Sequence, residues 1–392
     1  MLTQLLSITL TLFLLTHYPT QPLSSNEERI TELPFEWVKG KIVIPVSING
    51  QSYKFFLDTG GKLDISPKLQ REFAFPIVDE IEVIGINKNP VTLQSVDIPE
   101  IKVGTMTFKN RKATISPLYE KYPTSCYGYD GMIGRDFLKG KLLQIDAQKK
   151  RVIISKDRSL VEVEGHPRTK LSIGPGGLPR VAVQLNGKKE DIVFDSGARS
   201  LFSYKRKTAK KLKIKNKDHK LRFTGIFSFG VSMALPDSKT HYAVKVDQLD
   251  IAGHSLQNFY SNISKESRSR LGSKLLKFGT VTIDYQKNWF YFAPYVDQQM
   301  EQHYATFGFD FMKYDGQFLI KWVQEGSEAK RQGLKYGDRI NKVNGIAVNE
   351  LMDECSNYIN GYSFMKKDRI ELEITDSKQQ KRSIVLDKII FK

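Results

Sequence analysis

The sequence predicts a mostly β protein: two copies of one β-rich unit in tandem, followed by a smaller α/β domain. Three observations carry this reading. A set of motifs recurs at a constant offset, the apolar runs are short and broken by turn residues, and the pattern changes near Tyr304.

The repeat comes first. Val46-Ser47-Ile48-Asn49-Gly50 leads, after seven residues, to Asp58-Thr59-Gly60, and Val183-Gln184-Leu185-Asn186-Gly187 leads, after seven, to Asp195-Ser196-Gly197. The offset is 137 residues. Met132-Ile133-Gly134-Arg135 then matches Arg270-Leu271-Gly272-Ser273, and Gln144-Ile145-Asp146 matches Thr282-Ile283-Asp284, both at 138. Three matches in the same order with one residue of drift mark an internal duplication.

Within each copy the elements read as strands. Ile42 to Val46 and Phe55 to Leu57 flank Asn49-Gly50; Arg180 to Val183 and Ile192 to Phe194 flank Asn186-Gly187. Asn-Gly between apolar runs is a hairpin signal. Lys141 to Ile145, Val152 to Ile154, Thr280 to Ile283 and Trp289 to Phe292 continue the series. Short strands with frequent turns indicate a barrel or a sandwich. Gly174-Pro175-Gly176-Gly177 is read as a turn, because no Lys-Ser/Thr helix start follows it. The units are placed at residues 35–160, 168–296 and 303–392.

Leu5 to Leu15 is an apolar run of signal-peptide length, too short for a span of about 20 residues. Residues 1–22 are therefore read as a signal peptide, and the protein as extracytoplasmic, periplasmic or secreted. The alternatives are an uncleaved anchor or a buried segment. The net charge is +17, fed by the Lys-rich stretch Lys205 to Lys217, which reads as a solvated face. No nucleic-acid motif accompanies the charge, so no nucleic-acid partner is expected. Cys126 and Cys355 lie in different predicted units and are read as two thiols, with a bridge as the alternative. The six histidines are scattered, no Gly-x-Ser-x-Gly elbow is present, and neither metal nor cofactor is expected.

Asp58 and Asp195 each end an apolar strand, where a lone carboxylate is costly to bury. Each is followed by a hydroxyl residue, Thr59 or Ser196, and a glycine, Gly60 or Gly197, that permits a sharp turn. Two such loops meeting at a twofold axis would set the carboxylates side by side. They would share one proton, one acting as base on a water and the other as acid on a carbonyl; the aspartic-protease dyad is the standard case of such sharing.

At these residues, over roughly 37–295, the chain resembles the pepsin/retropepsin superfamily of aspartic peptidases. The resemblance implies two pseudo-symmetric pepsin-like β-barrel lobes, each with an Asp-Thr/Ser-Gly loop and a later apolar-apolar-Gly strand. It implies Asp58 and Asp195 as the catalytic pair and Thr59, Gly60, Ser196 and Gly197 as dyad support. Two positions depart from the pattern: Gly61 stands where Ser, Thr or Ala is usual, and Arg270 where an apolar residue is usual. Ile81 to Pro99 and Phe223 to Tyr242 are candidate flaps, with tips at Gly85 and at Gly225 to Gly230.

From Tyr304 the chain resembles a PDZ domain, on Phe307-Gly308-Phe309, Gly326-Ser327-Glu328-Ala329, Gly333-Leu334 through Ile340, and Val343-Asn344-Gly345-Ile346. The resemblance implies a peptide-binding loop at Phe307, Gly308 and Phe309, taking a C-terminal carboxylate while the peptide adds as a strand. The expected function is an aspartic endopeptidase, monomeric because both half-sites lie on one chain, acting on peptides or proteins. The PDZ-like domain would dock substrate or regulate access, and be separable after about Pro294. The competing class is a catalytically silent peptide-binding protein that keeps the lobes as a scaffold.

Overall fold

The computed structural model describes residues 29–84, 90–205, 220–226, 237–264, 268–295, 304–352 and 355–391. The signal-peptide segment, the Lys-rich stretch beyond Lys205, Gly85 and the 227–230 tip lie outside the described residues.

The molecule is mostly β. Its two repeats meet in a six-stranded antiparallel sheet. Leu142–Asp146 pairs with Gly279–Asp284 at the centre, Arg151–Ser155 and Trp289–Pro294 flank them, and Ile30–Pro34 and Arg168–Ile173 close the two sides. Gln144 lies opposite Thr282, 138 residues away, and its Nε2 donates to Thr282 Oγ1 at 3.0 Å. This pair marks the pseudo-twofold axis. Both side chains are buried, so each needs the other as a polar partner.

Each repeat then builds the same arrangement. Lys41–Ile48 pairs with Gln51–Asp58, and Pro179–Leu185 with Lys188–Asp195. Both hairpins close on an Asn-Gly turn with positive φ at both residues, 49° and 80° in the first and 47° and 74° in the second. These are the conditions of the type I′ turn, whose twist suits antiparallel strands. The long hairpin Ile77–Ile84/Pro90–Val103 in the first repeat corresponds to Lys220–Gly225/Lys239–Ile251 in the second. One hydrophobic core runs through both repeats, with Ile42, Phe55, Leu57, Ile133, Phe194, Leu271 and Ile283 fully buried. Such side chains contribute about 1.5–3 kcal/mol each.

Residues 304–391 have a core of their own, including Phe307, Phe309, Ile320, Leu334, Leu372 and Leu386. Its sheet contains Phe309–Tyr314, Gln317–Gln324, Arg339–Val343, Arg369–Thr375 and Lys381–Asp387, and the short helices Glu328–Arg331, Val348–Met352 and Cys355–Asn360 accompany it. The boundary with the repeats is closed at three places. The edge strand Lys220–Gly225 pairs with Gln317–Gln324, so that the second repeat and the C-terminal unit share one sheet. Beside it the Phe223 and Trp322 rings pack edge to face, 4.8 Å apart. Tyr260 meets Tyr304 and Phe391.

The third closure corrects the reading of the cysteines. Cys126 and Cys355 are not thiols but a disulfide, with Cα atoms 4.9 Å apart and 229 residues between them in sequence. The fold sets the 3-10 turn Thr124–Tyr127 of the first repeat against the helix Cys355–Asn360, within bonding reach. No local pattern reports a contact of that range. The described residues include no helix long and apolar enough to cross a membrane.

Candidate active site

Asp58 ends the strand Gln51–Asp58 and Asp195 ends Lys188–Asp195. Each strand runs parallel to the later glycine strand of its own repeat: Leu57 opposite Ile133 and Asp58 opposite Gly134, Phe194 opposite Leu271 and Asp195 opposite Gly272. The loops after the aspartates thread past those glycines. A Cβ on Gly134 would lie 2.3 Å from the Lys62 backbone, and one on Gly272 2.1 Å from the Ser200 carbonyl. Arg135 N–H donates to Gly61 O at 3.1 Å, and Ser273 N–H to Ala198 O at 2.7 Å. The two loops are thus pinned in the same way.

Across the axis the hydroxyls exchange bonds. Thr59 N–H donates to Ser196 Oγ and Ser196 N–H to Thr59 Oγ1, both at 3.0 Å. Thr59 Oγ1–H donates to Phe194 O at 2.9 Å and Ser196 Oγ–H to Leu57 O at 2.8 Å. Both residues are fully buried. Four hydrogen bonds therefore fix the separation of the two aspartates.

Asp58 and Asp195 lie side by side, each reaching the glycine of the other's loop. Gly60 N–H donates to Asp58 Oδ1 at 2.7 Å, and Ala198 N–H to Asp195 Oδ1 at 3.1 Å. The glycines let the carboxylates cross: a Cβ on Gly197 would sit 2.1 Å from Asp58 Oδ2, and one on Gly60 2.8 Å from Asp195 Cγ. Burial pushes the Asp58 carboxyl up to about 7; the neighbouring Asp195 adds to the rise, and Lys41 opposes it. Crowding of this kind favours one proton shared between two carboxyls.

Gly61 and Arg270, the two departures from the family pattern, both have a role here. A Cβ on Gly61 would lie 2.6 Å from Met132 Sδ and 3.2 Å from Asp58 Cγ, so the methionine fills the space a side chain would need. Arg270 makes a salt bridge to Asp195, Nη1 to Oδ2 at 3.4 Å. Residue spacing alone did not reveal Lys41, Arg199 or Arg135. Lys41 opens the strand Lys41–Ile48, its ammonium donates to the Gly197 carbonyl, and it lies 4.6 Å from the centre of the Phe56 ring. Arg135 holds the carbonyls of Gly60 and Gly61. Arg199 donates to Tyr127 Oη at 2.9 Å and to Tyr358 Oη at 3.5 Å. Arg270, by contrast, carries a sequence signal in its mismatch with Met132 in the repeat.

An aromatic cluster lies beside the pair: Val43, Phe56, Tyr119, Tyr127 and Tyr129, with Met132, Tyr358 and Ile359 against it. Tyr119 donates to Asp64, a carboxyl that burial holds well above the usual range against the pull of that bond. Tyr358 belongs to the disulfide-linked helix, so the C-terminal unit contributes to this wall.

Phe307 and Phe309 are almost fully buried in the C-terminal core. Gly308 between them has φ 82°. Its N–H donates to Thr306 Oγ1 at 2.9 Å and its carbonyl accepts from Gln324 N–H at 2.7 Å. Of the two candidate flaps, the described parts form the two long hairpins, and the second is the one paired with the C-terminal unit. No cluster of three or more His, Cys, Asp or Glu side chains suited to a metal occurs among the described residues.

Residues 44–137 match the family model described as aspartyl protease. That stretch is an aspartyl protease domain, and it holds Asp58-Thr59-Gly60 together with Met132-Ile133-Gly134. Asp195 lies beyond the matched residues. No curated protein matches the chain.

Proposed function

We propose that the chain is an extracytoplasmic aspartic endopeptidase in which Asp58 and Asp195 activate a water against a peptide bond. The observation that carries this reading is the meeting of two loops of like geometry, which sets the two carboxyls side by side. An aspartyl protease domain on residues 44–137 supports the class of reaction.

The chemistry needs one proton in the pair. The ionised carboxylate takes a proton from the water, whose oxygen attacks the peptide carbon. The carboxylic acid gives its proton to the carbonyl oxygen, and a neutral gem-diol forms. Its collapse breaks the C–N bond: one hydroxyl proton returns to the pair and the nitrogen takes a proton as it leaves. Asp58, raised to about 7, retains a proton where an ordinary carboxyl has lost it, and Asp195 carries the salt bridge to Arg270. Gly60 N–H and Ala198 N–H orient the two carboxyls. Both half-sites lie on one chain, so the enzyme works as a monomer.

The disulfide supports an oxidising compartment, in agreement with the export signal read at residues 1–22. The C-terminal unit is proposed as a PDZ-like domain whose Phe307-Gly308-Phe309 loop receives the end of a peptide. Its helix carrying Tyr358 also reaches the wall beside the dyad, which supports a role in regulating access to the site.

The test is incubation of the purified protein with a mixed peptide library, with and without a statine-type inhibitor. Inhibitor-sensitive cleavage within peptides is expected. No cleavage across the library and across pH would favour the silent peptide-binding protein, with C-terminal peptides as its ligands.

A further inference from the structure

The proposed dyad lies beside a lysine that the proposed mechanism does not use. Lys41 is the first residue of the strand that precedes the Asp58 strand, yet its ammonium donates to Gly197 O, in the loop that follows Asp195. It crosses from the first repeat into the second at the level of the carboxyls. The repeat does not require it: the corresponding strand of the second copy is Pro179–Leu185, whose first residue carries no charge.

We propose that Lys41 is a positioning residue of the dyad: its ammonium latches the Gly197 loop against the first repeat and supplies a fixed cation facing the proton-sharing pair. This rests on the peptidase reading.

The surroundings of Lys41 single it out. The charged groups facing it are Asp58, Asp195 and Asp64, which favour its charged form, and Arg199, which opposes it. Arg199 is turned toward the hydroxyls of Tyr127 and Tyr358. Lys39, two residues earlier, donates to the Tyr358 carbonyl and is held at about 8 by burial and by Arg199. Arg270 reaches Asp195 from the opposite strand, Asp64 is bonded to Tyr119, and the Phe56 ring lies under the ammonium. Burial holds the Lys41 ammonium below the usual lysine range, while Asp58 and Asp195 raise it. The reciprocal effect is that Lys41 lowers Asp58.

The sign follows. Without the cation, the ionised form of the pair loses a stabilising charge and both of its titrations move to higher pH. The bell-shaped rate profile, which needs one proton in the pair, then moves upward as a whole. Loss of the latch alone would lower the rate at every pH and leave the bell in place.

Lys41→Gln keeps a donor of similar length without the charge, and Lys41→Arg keeps the charge. Two measurements apply: the pH profile of kcat/KM on a library-derived peptide, and a carbon-13 titration of labelled aspartate carboxyls. The expected result is an upward shift of about one pH unit in both for Lys41→Gln, with Lys41→Arg close to the parent protein. A soluble, folded Lys41→Gln whose bell and carboxyl titrations are unmoved overturns the proposal. So does a Lys41→Arg shifted as far as Lys41→Gln. The titration does not require turnover. A parent protein that cleaves nothing, but whose carboxyl titrations move on Lys41→Gln, would remove the peptidase reading and leave the Lys41–dyad coupling intact.

Discussion

Thr59 and Ser196 each donate a backbone N–H to the other's side-chain oxygen at 3.0 Å, although 137 residues separate them. Each hydroxyl hydrogen then goes to a carbonyl of the opposite repeat. The two aspartates are neighbours because this exchange holds their loops together.

Removing one hydroxyl strands a buried N–H and a buried carbonyl. Thr59→Val and Ser196→Ala are each expected to destabilise by about 2–4 kcal/mol, since each unsatisfied buried group costs roughly 1–3 kcal/mol. The double variant should cost less than the sum, because loss of either hydroxyl's bonds already loosens the loops that position the other's. Denaturant midpoints of the three variants check this; additive losses would mean that the hydroxyls act independently.

Asp58→Asn and Asp195→Asn are expected to reduce turnover by at least about 100-fold each, with little added in the double variant, because the two groups act as one unit. The variants should stay folded. Substantial cleavage by either single variant would remove the dyad from the mechanism.

The pH dependence of stability has a definite sign. Asp58 titrates at about 7 in the folded chain and near 3.9 when unfolded. Between these values the folded state holds a proton that the unfolded state has released. Its contribution to stability therefore falls as pH rises from about 4 to 7 and is level above. Asp58→Asn should flatten that part of the curve. Unfolding midpoints taken at intervals from pH 4 to 8 would show it. The same titration places the alkaline limb of the activity profile near neutral, and an optimum below about pH 3 would contradict it.

The sequence alone predicts that truncation after about Pro294 leaves the repeats folded. The structure argues otherwise: the cut removes the partner strand of Lys220–Gly225, uncovers Phe223 and Tyr260, and deprives Cys126 of Cys355. Loss of the disulfide alone, in Cys126→Ser/Cys355→Ser, is expected to cost roughly 2–5 kcal/mol. The truncated protein should be less stable still, or insoluble. A monodisperse truncated chain with the parent's unfolding midpoint would show that the C-terminal unit is a detachable module.

Gly61→Ala should reduce activity, because the added Cβ meets Met132 Sδ at 2.6 Å and crowds Asp58. Met132→Ala in the same chain opens that space and should restore much of the loss. Equal activity in Gly61→Ala and the parent would mean that the methionine simply moves aside.

Much of the aspartate pair was legible in the sequence because its cause is local. An Asp-Thr/Ser-Gly after an apolar strand is a short-range statement about a turn, and its recurrence at 137 residues says that the turn is used twice. The Asn-Gly hairpins and the strands around them were legible for the same reason: positive φ and a short apolar run are properties of neighbouring residues. Tertiary structure decided what depends on contacts between distant segments. It paired Cys126 with Cys355, joined the second repeat to the C-terminal sheet through Gly225 and Trp322, and turned Arg270 toward Asp195. It also brought Lys41 to Gly197. Sequence patterns report periodicity and turns over a few residues, whereas a side chain's charge partner is set by whichever strand the fold lays beside it.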